Sequence, residues 1–133
     1  LVRELDGRRY INDSKATNVH AACACIRSLD EPVVLIAGGL DKHLDYEPLR
    51  ELVPGRVRAM VTIGSIAESL KAQFEDLIPC GTAPDLPAAV TQARALSERG
   101  DAIVLSPTTS SFDMFSGYAE RGNVFRTAVQ QLA

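Results

Sequence analysis

A chain of 133 residues with 46% apolar and 23% charged residues has the make-up of one globular domain, long enough to bury a core without disulfide or metal staples. Its net charge of −3 excludes a general nucleic-acid surface, which needs a basic face, but leaves room for a small local cluster of cations. No apolar run approaches the roughly 20 residues of a membrane helix and no signal-peptide pattern opens the chain, so neither a membrane nor a nucleic-acid partner is expected.

The chain opens on Leu1 rather than Met, as a fragment or a processed product would. Its first predicted strand is "RRYIN", followed by the polar stretch Asp13, Ser14, Lys15, Thr17 and Asn18. Two readings fit this stretch. Ser14 or Thr17 could cap the next helix with Lys15 solvated. Alternatively, the free N–H groups and positive end of that helix, joined by Lys15, could bind an anion. From Asn18 to Leu29, the residues Val19, Ala22, Cys23, Ile26 and Leu29 form one apolar stripe and predict a helix. Cys23, Cys25 and Cys80 are odd in number and lack a zinc-type spacing, so they read as buried free thiols of a reducing cytoplasm. His20 and His43 are too few and too far apart to suggest a metal site.

The next strand, within "VVLIAGG", is almost continuously apolar, as a strand covered on both faces should be. In "AGGLDKHLDY", Gly38 and Gly39 permit a sharp turn or close approach to a ligand, and Lys42 would stand at the mouth of the sheet. A plain turn is the alternative, since neither GxxxxGK[ST] nor GxGxxG is present. A short helix at "YEPLRELV" leads to a strand in "RAMVTIG". The helix "SIAESLKAQF" has Ser65 and Glu68 as a predicted capping box, with Ala67, Leu70 and Phe74 on one side. A weaker strand is expected at "DLIPC". Asp85 is the expected cap of the following helix, Pro87 sits in its first turn, and Gly100 is expected just past its end.

After the strand in "AIVLSP" comes "SPTTSSFDMFSGYAERG", where Ser106, Thr108, Thr109, Ser110 and Ser111 crowd around a proline. Such a loop can present donors to a carboxylate or phosphate, or simply cap the next helix. Phe112, Phe115 and Tyr118, three residues apart, are expected in the core, and a last helix runs from about Ala119 to Leu132.

Strand and helix alternate throughout, which predicts a single α/β domain over residues 1–133. Its fold would be Rossmann-like, with a mostly parallel sheet of about five to six strands and helices on both faces. Three polar loops would leave the carboxyl edge of that sheet, where ligands of such folds bind. They predict a site for a small anion, with Lys15 and Lys42 as cations and the Ser/Thr loop as neutral donors. No Ser/His/Asp signature, GxSxG elbow or zinc pattern is present, so substrate binding is better supported than acid–base chemistry.

Taken in order and spacing, "NDSKATN", "GGLDK" and "SPTTSSFDMFSGYAERG" resemble the C-terminal domain of the Mur ligases of bacterial cell-wall synthesis. The resemblance runs from about Gly7 to the end and is strongest to the branch that adds D-glutamate to UDP-N-acetylmuramoyl-L-alanine, with "DSKATN" its most discriminating piece. It implies ATP-dependent amide formation in a three-domain cytoplasmic monomer. The nucleotide-sugar carboxylate is phosphorylated there, and the amine of D-glutamate attacks it. An N-terminal domain would hold the UDP-sugar, a central one ATP and Mg²⁺, and the last would bind D-glutamate and close over ATP. By the same resemblance, Asp13 and Lys15 contact the nucleotide. Thr17, Lys42 and Ser111 hold the D-glutamate carboxylates, helped by backbone groups near Phe112 and Tyr118. Tyr118 stands where such ligases often have Phe, a harmless change if its backbone makes the contact. The P-loop and the sugar-binding domain are missing, so these residues alone are expected to be inactive. A stand-alone anion- or nucleotide-binding module is the alternative, as is a Mur or folylpolyglutamate-type ligase domain for another amino acid.

Overall fold

The computed structural model describes residues 2–39, 45–108 and 117–132. Among these residues, six strands and five helices alternate, apart from an opening hairpin. In chain order they are β1 (Arg3–Leu5), β2 (Arg8–Asn12), α1 (Val19–Arg27), β3 (Val33–Gly38), α2 (Glu47–Leu52) and β4 (Val57–Ile63). They continue with α3 (Ala67–Phe74), β5 (Cys80–Thr82), α4 (Leu86–Leu96), β6 (Ala102–Leu105) and α5 (Tyr118–Gln130). The sheet order is β1-β2-β6-β3-β4-β5. Every pairing is parallel except β1 with β2.

Successive side chains of a strand point to opposite faces, and here both faces are covered. On one, Tyr10, Val34, Ile36, Val61, Ile103 and Leu105 pack with residues of α4 and α5 such as Leu86, Val90, Phe125 and Val129. On the other, Leu35, Ala37, Met60 and Val104 meet Val19, Ile26, Leu49, Leu70 and Phe74 from α1, α2 and α3. The predicted α/β sheet with helices on both faces is therefore the observed one.

Local details differ from expectation in instructive ways. β1 was not predicted. Asp6 and Gly7 link it to β2 with φ of 54° and 74°, a two-residue turn with both centres left-handed, for which Asp-Gly is a favoured pair. The weak strand expected at "DLIPC" begins only at Cys80. Leu77 and Ile78 still donate to the Phe74 carbonyl at the end of α3, and Pro79 has no N–H to give. The Ser65–Glu68 capping box does not form. Ile66 takes the cap position without a side-chain bond, and the Ser65 hydroxyl donates to the Gly39 carbonyl. Asp85 caps α4 through the Ala88 N–H, as expected. Gly100 lies beyond the C-cap Ser97, in the turn before β6, where its N–H donates to the Gly7 carbonyl.

Candidate functional site

The loops after β2, β6 and β3 leave three adjacent parallel strands at one level. Asn12 pairs with Leu105, and Leu105 pairs with Ile36. Backbone bonds then join loop to loop: Asp13 N–H to Leu105 O (2.8 Å), Gly38 N–H to Pro107 O (2.9 Å) and Thr108 N–H to Ala16 O (2.8 Å). The convergence expected from topology holds for the described parts of all three loops.

Within the first loop, the Asn12 side chain accepts the Ser14 N–H, closing a local turn. Asn18 caps α1 by accepting the Ala21 N–H at 2.8 Å. The cap is therefore neither Ser14 nor Thr17, because only Asn18 has the extended backbone beside the first helical residue. Thr17 is half-buried, and Lys15 is exposed and forms no ion pair among the described residues. Asp13 is held in place by the Ser106 hydroxyl, which donates to its Oδ2 at 3.0 Å.

The hydroxyl loop is corrected in part. Ser106 and Thr108 are fully buried, and their hydroxyls serve Asp13 and Tyr46 inside the protein, so neither is a donor to a ligand. Tyr118, expected in the core, is 45% exposed at the start of α5, because the buried stripe of that helix is Arg121, Gly122, Phe125, Ala128 and Val129. Lys42, His43, Thr109, Ser110, Ser111, Phe112 and Phe115 lie outside the described residues.

Sequence reasoning missed Arg121. Its side chain is among the largest fully buried ones, and its Nη2 donates to the Ser14 carbonyl at 3.0 Å. A signal existed, since Arg121 shares the spacing of Phe125, Ala128 and Val129 on the core stripe. Gly122 brings α5 close to the same loop. A Cβ there would stand 2.6 Å from Ser14 Oγ and 2.9 Å from Asn12 Nδ2.

Burial raises all three thiols. Cys25 is pushed from 9.0 to about 12 by desolvation first, then by the charge of and hydrogen bond to Asp13. Cys80 is pushed to about 11 and Cys23 also upward, each chiefly by desolvation. These groups stay neutral in the folded state where the unfolded chain would ionise. The stability they contribute is therefore complete below pH 9.0 and is lost as pH rises toward about 12. Urea titrations across that range should show the midpoint falling, and Cys25→Ala should flatten the fall; an unchanged slope in the variant would count against the assignment. Cys25 should also alkylate far more slowly than a free thiol near pH 8, because thiolate is the reactive form.

Among the described residues, no group of three or more His, Cys, Asp or Glu could hold a metal ion. No helix among the described residues is long and apolar enough to cross a membrane. A groove of about 440 Å³ between α4 and α5, lined by residues such as Pro87, Val124 and Ala128, includes none of the loop residues and no cation. The described loop places exposed Lys15 three residues before Asn18, the cap of α1.

The family "Mur ligase, glutamate ligase domain" matches residues 1–109. The chain belongs to this Mur ligase family. Among similar proteins, the UDP-N-acetylmuramoylalanine--D-glutamate ligase of Syntrophotalea carbinolica is 46% identical over 132 residues, covering 99% of this chain and 29% of the relative. The proteins of the same name from Salinibacter ruber and Pseudomonas fluorescens are 44% and 45% identical, covering 98% and 99% of this chain and 29% and 30% of their own. The chain thus spans under a third of the length of these Mur ligases.

Proposed function

We propose that this chain is the C-terminal, amino-acid-binding domain of a three-domain ligase that adds D-glutamate to UDP-N-acetylmuramoyl-L-alanine in peptidoglycan synthesis. One observation carries the reading: the β2–α1 loop holds Lys15 exposed and Thr17 half-buried, on backbone bonded to the neighbouring hydroxyl loop. The names and identities of the relatives point to the same substrate. Thr17, Lys42 and Ser111 would hold the two carboxylates of D-glutamate, aided by backbone groups near Phe112 and Tyr118. A dianionic substrate suits cations, hydroxyls and helix N-termini.

Asp13 and Lys15 would face the nucleotide. Lys15 would offset phosphate charge, and Asp13, oriented by Ser106, would accept hydrogen bonds. ATP, when bound, supplies the phosphoryl group that activates the sugar carboxylate. Mg²⁺ and most contacts to ATP belong to the central domain, and the UDP-sugar to the N-terminal one. The contribution of this domain is to place the amine, by proximity and electrostatic orientation. Closure of the domains would bring Lys15 to the phosphates. The enzyme would work as a cytoplasmic monomer.

The test is phosphate release by the full ligase with ATP and UDP-N-acetylmuramoyl-L-alanine, comparing D-glutamate with L-glutamate and D-alanine. Release should depend on D-glutamate, and release indifferent to the amino acid would overturn the proposal. Lys42→Ala should raise the KM for D-glutamate by about tenfold or more, as expected for the loss of a charge-assisted contact. An unchanged KM would remove Lys42 from the site. Tight ATP binding by these 133 residues alone would contradict the three-domain assignment.

A further inference from the structure

We infer that the buried hydroxyl pair of Tyr46 and Thr108 is a positioning device for the anion site, locking the three loops in mutual register. The inference rests on the D-glutamate-binding function proposed above. Thr108 has a φ of 72°, left-handed backbone that is a genuine outlier for a β-branched residue. Such a conformation persists only where its surroundings over-determine it, and it tends to occur at functional sites.

Here the surroundings are the other two loops. The Thr108 N–H donates to Ala16 O in the first loop at 2.8 Å. Its Oγ1 lies 3.1 Å from Tyr46 Oη, at the far end of the second loop. The preceding carbonyl, Pro107 O, accepts the Gly38 N–H at 2.9 Å, at the near end of that loop. Tyr46 is only 3% exposed, and its ring meets Phe74 edge-on with centroids 6.2 Å apart, so the phenol is anchored in the core beneath α3.

Packing alone does not call for this pair. Phe would fill the place of the Tyr46 ring, and Gly would take the left-handed backbone at 108 with less strain. The hydroxyls are what these residues add, and away from water their hydrogen bond is strong and directional. Thr108, with no exposed surface, cannot touch a ligand itself. Its effect passes through Ala16 to Thr17, the adjacent residue, and to Lys15, whose carbonyl accepts the Thr17 N–H at 2.8 Å. In sequence, Lys42 and Ser111 lie within four residues of Tyr46 and Thr108.

The experiment is steady-state kinetics of the full ligase carrying Tyr46→Phe, Thr108→Ala, both together, or Thr108→Ser. Each of the first two should raise the KM for D-glutamate about three- to tenfold with kcat within about twofold, the size expected for one lost hydrogen bond felt through geometry. The double variant should be no worse than either single one, and Thr108→Ser should match the parent. A fall in melting temperature with KM unchanged would overturn the inference, as would additive effects of the two changes. A parent ligase that never responds to D-glutamate would refute the proposed function instead. Hydrogen exchange then decides about the pair on its own: faster exchange at the Thr108 and Thr17 amides in Tyr46→Phe supports the device, and unchanged exchange overturns it.

Discussion

Gly38→Ala is expected to destabilise the domain by at least about 3 kcal/mol, a value reserved for backbone clash and strain combined. Gly38 closes β3 with φ at 127°, a conformation that L side chains rarely adopt. An added Cβ would stand 2.1 Å from Ile63 O and 2.9 Å from Ile63 N, both backbone atoms of the neighbouring strand. Nothing there is a flexible tip that could swing away. β3 would have to separate from β4, and the Gly38 N–H would leave Pro107 O, uncoupling the second loop from the third. Gly55→Ala is the matched control. It shares the left-handed backbone, with φ at 82°, but has no atom within 4 Å of the new Cβ, so it should cost about 1 kcal/mol. Urea unfolding of both variants separates clash from strain. Equal midpoints for the two would show that the close approach of β3 to β4 is not as described.

Arg121→Met is expected to lower kcat/KM of the full ligase by about 10- to 100-fold, because small misplacements of binding groups are costly in rate. It should also lower stability by about 1.5–3 kcal/mol, the range for a hydrogen bond to a charged group. Methionine preserves length and apolar bulk, so the change isolates the guanidinium. That group reaches from α5 to the Ser14 carbonyl, between Asp13 and Lys15, and Gly122 lets the helix come close enough for it to do so. Without it, the turn keeps the local Asn12–Ser14 bond and the long bond from Asn12 Nδ2 to Gly122 O at 3.5 Å, but the Ser14 carbonyl loses its donor on α5. Melting temperature and kinetics should be read together. Full activity in a destabilised variant would make Arg121 a core residue only.

Much of this was legible in the residues themselves. The continuous apolar runs of β3 and β6 implied strands covered on both faces, and the structure covers them with α1–α3 on one side and α4–α5 on the other. The Asp85 cap is a local interaction and was predicted correctly. The "DSKATN" loop left two readings open, since capping by Ser14 or Thr17 gives no role to Asp13 and Lys15.

The misses have a common cause. Ser65 and Glu68 have capping-box spacing, yet Ser65 bonds instead to the Gly39 carbonyl, a partner 26 residues away. Tyr118 has the spacing of an aromatic stripe, but α5 presents Arg121 and Phe125 to the core. The hydroxyls of Ser106 and Thr108 looked like ligand donors until the fold brought Asp13 and Tyr46 to them.

By itself the sequence determined the period of each segment, the α/β class, and the polar loops that would share one edge, because these follow from spacing along the chain and from strand direction. Only the tertiary structure decided which polar groups remain for a ligand and which are spent internally. A hydroxyl or cation is available only if no distant segment claims it, and that depends on contacts such as Arg121 to Ser14, 107 residues apart, which no local pattern encodes.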